Sequence, residues 1–199
     1  MTIPMNLCQR AGITPDDFDL FPRYFDMQSA RNGAGHTYRV MLLCLMLGEE
    51  LGLRENAQRA FLGAFIHDMA RVSDGRSPGH GPRAAETKLP LFLPLFNRYG
   101  IIPDSLNEIH EAVWFHSKKK KNGSEDALKH TMNILKDADM LDRVRSNDVD
   151  PDLLRYPQSN QLIPFAEELF RKTRNYSAYR PFKDYVEAAR KIHPSHKPL

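Results

Sequence analysis

Apolar residues recur at helical spacing along most of the chain, and that pattern predicts its elements. Residues 35–51 and 54–69 each read as a helix with a face to bury. A polar loop, residues 71–82, follows; Gly75, Pro78, Gly79, Gly81 and Pro82 break the helical pattern there. Residues 83–88 read as a helical turn halted by Pro90 and Pro94. Helix is expected over 103–116, with Pro103 in its first turn and Asp104 or Ser105 near the cap. A basic, Gly-containing loop over 118–124 leads into a helix over 124–144. Weaker periodicity predicts helices over 163–174 and 181–192. The first thirty residues mix Pro, Asp and aromatics, as in an irregular or short-helical segment that packs Phe18, Phe21, Tyr24 and Phe25 onto the main body. No period-2 alternation is bounded by hairpin turns, so the expected fold is an all-α, single-domain helical bundle. Its expected parts are an N-terminal segment (1–34), a core (35–145) and C-terminal helices packing on that core (146–199).

Ionisable residues interrupt the apolar faces at particular places. From His36, Val40, Leu43 and Leu47 lie at i+4, i+7 and i+11, so His36 opens the buried stripe of its own helix. His67 follows Ala60 and Gly63 at i−7 and i−4, small residues that let another helix approach closely. Asp68 is embedded in the apolar run 61–69. His116 follows Ile109 and Ala112 in the same register, and Asp139 follows Leu128, Met132 and Leu135. A buried carboxylate must be paired, protonated or bound to metal. Taken singly, each residue has an ordinary reading as a hydrogen-bonded core group. Four separate helices each delivering such a group in one domain point instead to a shared centre. Imidazole nitrogens with carboxylates suit Fe, Mn, Co, Ni or Zn in a mixed N/O site.

Composition narrows the partners. The chain has 199 residues, 41% hydrophobic and 27% charged, with formal net charge +3. That balance accepts an anionic ligand but supplies no extended basic face, so nucleic acid is not the expected partner. Cys8 and Cys44 form neither a CxxC pair nor a disulfide framework. The longest apolar run, residues 40–47, is far shorter than the ~20 residues of a membrane span. The start of the chain carries no signal-like apolar run, and a cytoplasmic location is expected.

Three segments carry a resemblance. They are Gly35-His36-Thr37-Tyr38-Arg39-Val40, Phe65-Ile66-His67-Asp68-Met69-Ala70-Arg71, and Lys136-Asp137-Ala138-Asp139-Met140-Leu141-Asp142. In order and local wording this H…HD…D pattern resembles the HD-domain superfamily of metal-dependent phosphohydrolases. The resemblance implies that His36, His67, Asp68 and Asp139 ligate a metal. Asp139 is preferred to Asp137 because it follows Ala and precedes x-Leu-Asp. His80 and His116 are similar to the extra histidines of branches that hold two metals, with Asp68 bridging. The resemblance therefore implies one or two divalent transition-metal ions. One departure is Arg71, where the branch acting on deoxynucleoside monophosphates has Glu. Its guanidinium suits a phosphate oxygen instead.

The implied activity is hydrolysis of a phosphoric ester by metal-activated water, on a nucleotide or another small phosphorylated metabolite. Asp68 and Arg71 are the expected catalytic pair, with Asp68 also orienting the water. Arg71, Arg83 and Lys118, the first of the basic run 118–121, are expected to bind the substrate. Arg39, one turn after His36, is expected to pair with a carboxylate. Trp114, Phe92 and Phe96 read as core rather than base-stacking surfaces. The alternatives are a di-iron oxygenase on the same ligand set, and a non-catalytic nucleotide-binding module. For Tyr176, Tyr179 and Arg180, closure over the site and a homodimer contact both stay open.

Overall fold

The computed structural model describes residues 5–29, 31–118 and 129–192, and those residues contain helices and no strand. Helix α1 (Met5–Arg10) and two 3₁₀ turns (Pro15–Phe18 and Pro22–Tyr24) precede α2 (Ala34–Leu51) and α3 (Arg54–Ile66). Next, α4 (His80–Arg83), a π-helical turn (Ala84–Lys88) and α5 (Leu89–Arg98) follow one another directly. Then come α6 (Pro103–Phe115), α7 (His130–Leu141), a 3₁₀ turn (Asp142–Ser146), α8 (Pro157–Gln161), α9 (Ile163–Thr173) and α10 (Phe182–Arg190).

Helices α2, α3, α6 and α7 pack on one another as the central bundle. Every residue of α2 from His36 to Leu45 is buried, so this helix has no wet face over three turns. The reason is its cover: α3 and α7 on the bundle side, α9 and α10 from the C-terminal part. Each buried Leu, Met or Val there contributes roughly 1.5–3 kcal/mol.

The turn between α2 and α3 is tight. Gly52 adopts the left-handed conformation at φ 68°, caps α2, and sends its amide to Glu49. The Leu53 amide then reaches back to the Gly48 carbonyl at 2.9 Å. This draws the helices so close that a Cβ on Gly48 would lie 2.1 Å from Ala57 Cβ. Gly63 differs: a Cβ there would meet Leu135 and Val113 side chains at an ordinary 3.5 Å.

The flanking segments close onto the same bundle. Phe18 sets its ring edge-on against Phe61 and Phe65, at 4.8 and 5.4 Å between centroids. The Leu20 amide donates to the Tyr38 hydroxyl at 2.5 Å, and the Phe182 amide donates to Asp19 Oδ1 at 2.9 Å.

Two expectations change. Helix does not stop at Pro90 and Pro94; it runs through both to Arg98. The π-helical turn explains the first, because the Leu89 amide already skips to the Ala84 carbonyl and the regular i→i−4 ladder is broken before Pro90. α3 ends at Ile66 rather than Met69, and the chain tightens into turns in which the Met69 amide reaches Ile66 and the Arg71 amide reaches Asp68. α7 is described from His130, so the predicted start of that helix, residues 124–128, lies outside the described residues. No helix among the described residues is long and apolar enough to cross a membrane.

The two glycines make opposite predictions. Gly48→Ala is expected to destabilise the protein by about 2 kcal/mol through overpacking, lowering Tm by roughly 5 °C in a thermal melt. Gly63→Ala is expected to be neutral or stabilising, by up to about 1 kcal/mol of helix propensity. Equal melting behaviour of the two variants would contradict the close α2–α3 approach.

Candidate metal centre

The first turn of α2 and the C-terminal ends of α3, α6 and α7 meet at one end of the bundle. His36 lies in that first turn, His67 caps α3, His116 caps α6, and Asp139 is in the last turn of α7. Asp68 follows His67 in the turn after α3, and His80 begins α4. The structure brings all six side chains together.

A repeated local device aims the imidazoles. The last carbonyls of a helix lack intrahelical partners. His67 Nδ1 folds back onto the Ala64 carbonyl at 2.7 Å, and His116 Nδ1 onto the Val113 carbonyl at 2.7 Å. In the loop before α4, His80 Nδ1 does the same to Ser77, at 2.6 Å. A carbonyl oxygen only accepts, so each Nδ1 carries the proton and each Nε2 presents a lone pair. His36 is oriented differently: its Nδ1 lies 2.7 Å from Asp142 Oδ2.

All four Nε2 atoms converge on Asp68. Its Oδ2 lies 3.6 Å from His36 Nε2 and 3.8 Å from His67 Nε2. Its Oδ1 lies 3.1 Å from His80 Nε2 and 3.6 Å from His116 Nε2. One carboxylate therefore faces two histidine pairs, one through each oxygen. Within the pairs, the nitrogens stand 3.2 Å apart for His36 and His67, and 2.9 Å apart for His80 and His116. Asp139 Oδ1 completes the first pair at 3.3 Å from His36 Nε2. Its side chain keeps 29% exposure, which puts the edge of the cluster in contact with solvent.

The donor set fits metal ions. With the proton of each ring on Nδ1, the His80 and His116 lone pairs face each other at 2.9 Å, an arrangement that a cation between them relieves. Two groups of side chains have ligand atoms close enough to share an ion: His36, His67 and Asp139, and His67, Asp68 and His116. Their protonation states suit the task. Burial lowers the His67 imidazole to about 4, which keeps it neutral. Burial works to raise the Asp139 carboxyl, but the His36 hydrogen bond and charge outweigh it and hold it well below the usual carboxylate range. Burial opposes ionisation of Asp68 too, and the surrounding histidines override it. At His36 burial and Arg145 push the pKa down, yet Asp139 and Asp142 raise it overall.

Behind the cluster, Asp142 is fully buried, and Arg39 grips it through Nε at 2.5 Å and Nη2 at 3.0 Å. Arg145 adds Nη1 at 3.3 Å. Sequence reasoning placed Arg39 against a carboxylate but missed Arg145, whose i+3 spacing from Asp142 was a readable signal. Asp137 belongs elsewhere, with Arg155 and Ser159, at 3.1 and 2.6 Å.

The predicted substrate groups separate. Arg71 Nη1 stands 3.4 Å from both Asp68 Oδ1 and His80 Nε2, and Nη2 donates to the Gly75 carbonyl at 2.7 Å. Arg83 instead directs its terminal nitrogens to the Ala70 and Pro78 carbonyls, at 3.0 and 3.2 Å, where it braces the loop. Lys118 is exposed, its Nζ 4.6 Å from the Phe115 ring centre, and the following lysines lie outside the described residues.

An HD-domain family model matches residues 33–144, a little over half of the chain and the segment that holds all six residues. The chain belongs to the HD domain family. No curated protein and no solved structure matches it significantly. HD domains are typical of metal-dependent hydrolases, and the cluster supplies groups that could hold their metal.

Gly81 sets the spacing of the second histidine pair in this HD domain. A Cβ there would lie 2.8 Å from the Val113 carbonyl, 2.9 Å from that of Trp114 and 3.2 Å from His116 Nδ1. Gly81→Ala is therefore expected to force α4 from the end of α6 and halve the metal retained per chain. Elemental analysis beside circular dichroism checks this; unchanged metal content would show that the close approach is dispensable.

Proposed function

We propose that the protein is a metal-dependent phosphohydrolase or phosphodiesterase acting on a nucleotide or another small phosphorylated metabolite. The observation that carries this reading is Asp68, whose two oxygens face separate histidine pairs, as a carboxylate bridging two ions would. His36, His67, Asp68, His80, His116 and Asp139 would hold a pair of divalent ions, which would supply Lewis acidity toward a phosphoryl oxygen and lower the pKa of water.

The chain's own groups fit that chemistry. Arg71 holds a guanidinium at the edge of the cage, fixed by the Gly75 carbonyl, where it can bind a phosphate oxygen through charge-assisted hydrogen bonds. Its Nε is buried and has no hydrogen-bond partner among the described residues. Asp68 accepts from Arg71 Nη1 at 3.4 Å and can orient the attacking water. Asp142 and Arg39 fix the His36 ring. Partners of this kind are typically worth 10–100-fold in metal affinity or activity. The cation of Arg71 favours an anionic phosphoester over dioxygen as the molecule the site meets.

The test compares the purified protein with Asp68→Ala. Metal near two ions per chain is expected in the parent, with hydrolysis of at least one member of a panel of phosphomonoesters, phosphodiesters and nucleotides. In the variant, metal is expected to fall and turnover to drop by at least about a hundredfold, with helicity retained. Abundant iron with oxygen uptake and no phosphoester turnover would replace the reading with an oxygenase. Metal-free protein that resists reconstitution would leave a binding module.

A further inference from the structure

His36 also forms part of the wall of a cavity of about 730 Å³, within the range of small-molecule sites. Four arginines line it, Arg31, Arg39, Arg145 and Arg174, and among the described residues no Asp or Glu does. Arg39 and Arg145 hold Asp142, which itself contacts His36 Nδ1, so the cavity has these arginines on the side of the imidazole opposite the Nε2 cluster.

The charge there is not balanced. One negative charge, on Asp142, faces both Arg39 and Arg145. Among the described residues the Arg31 guanidinium donates only to the Ser146 hydroxyl, at 3.2 Å, and Arg174 has no carboxylate partner. Arg145 Nε is buried without a hydrogen-bond partner. The cavity also takes in Ala34 and Gly35, the first residues of the 18-residue α2, whose N-cap Gly33 has no side chain to satisfy the amides of the opening turn. Guanidinium forks, an uncapped helix start and the absence of acids select one chemistry: oxygen anions with several negative charges.

We propose that this cavity binds a phosphate-class polyanion through Arg31, Arg145, Arg174 and the start of α2. The site is distinct from the metal cluster and shares only His36 with it. Its ligand is either the distal phosphates of the substrate or a separate phosphorylated effector; both present the same chemistry. Because Asp142 links its arginines to His36, occupancy would be felt at the ring that faces Asp139.

Calorimetric titration with tripolyphosphate tests the assignment on the purified protein, on Arg31→Ala/Arg174→Ala, and on Asp139→Asn. Both arginines are exposed and free of ion pairs, so the double variant should fold normally, with a thermal melt as the check. Binding is expected to weaken by at least about tenfold in the double variant and to persist in Asp139→Asn. Binding that is unchanged in the double variant, or that disappears with Asp139→Asn alone, would overturn the proposal by assigning the anion to the metal cluster. Because the Asp139→Asn arm does not depend on turnover, the cavity can stand even where the catalytic reading fails. Inhibition of phosphoester turnover by tripolyphosphate separates the two sources: a competitive pattern identifies the substrate's distal phosphates, a non-competitive one an effector.

Discussion

Asp68 sits in a place almost without water, and the Nε2 atoms of four histidines face its two oxygens. An isolated buried carboxylate costs several kcal/mol, so its neighbours cannot be incidental. Each of the four histidines turns Nε2 toward it, and each is held in that pose by something behind it. For three of them the restraint is a backbone carbonyl three residues earlier; for His36 it is a buried acid. The difference matters, because a carbonyl fixes a tautomer, while Asp142 also increases the basicity of the ring it holds. The centre thus has a rigid half built from helix ends and a half whose electrostatics depend on the Arg39–Asp142–Arg145 group.

The bundle exists in a form that makes these helix ends coincide. Short connections such as the Gly52–Leu53 turn set α2 and α3 antiparallel, which brings the start of one beside the end of the other. Close approaches then refine the position. Gly48 lets α2 lie against Ala57, and Gly81 lets α4 lie on the last carbonyls of α6. The loop between His67 and His80 is braced by Arg83 on its own carbonyls and by Asp74, which is bonded to Ser29 and Asn32 of the N-terminal segment. Residues far from the ligands in sequence therefore set the width of the cage.

How much of this could be read from the sequence follows from the range of each interaction. Periodicity exposed the helices because each buries a stripe of its own residues, and it placed His36, His116 and Asp139 on those stripes. It could not end α3 at Ile66, since the turn at His67 is tied by the side chain's own hydrogen bond to Ala64, which apolar spacing does not report. It stopped helix at Pro90 and Pro94 because proline is normally a breaker, whereas the π-helical turn before Pro90 had already broken the ladder. His80 sat in a Gly- and Pro-rich loop and read equally well as solvated; burial comes from α6 closing over it. The arginine-lined cavity was illegible for the same reason at larger scale. Arg31, Arg39, Arg145 and Arg174 come from four separate segments, and nothing local marks them as neighbours.

Charge balance joins the cage and the cavity. Two divalent ions held by Asp68 and Asp139 would leave two positive charges uncompensated by the protein carboxylates facing them, and Arg71 adds a third at the rim. A neutral substrate could not offset that excess, and a carboxylate or a phosphodiester only in part; a phosphomonoester, close to doubly charged near neutral pH, comes closer to doing so. The cavity repeats the imbalance on the far side of His36, with four guanidiniums against the single charge of Asp142. Local fields of one sign in partly enclosed sites concentrate counter-ions of the other. With a formal net charge of only +3 over the whole chain, this concentration is a matter of placement rather than of overall basicity.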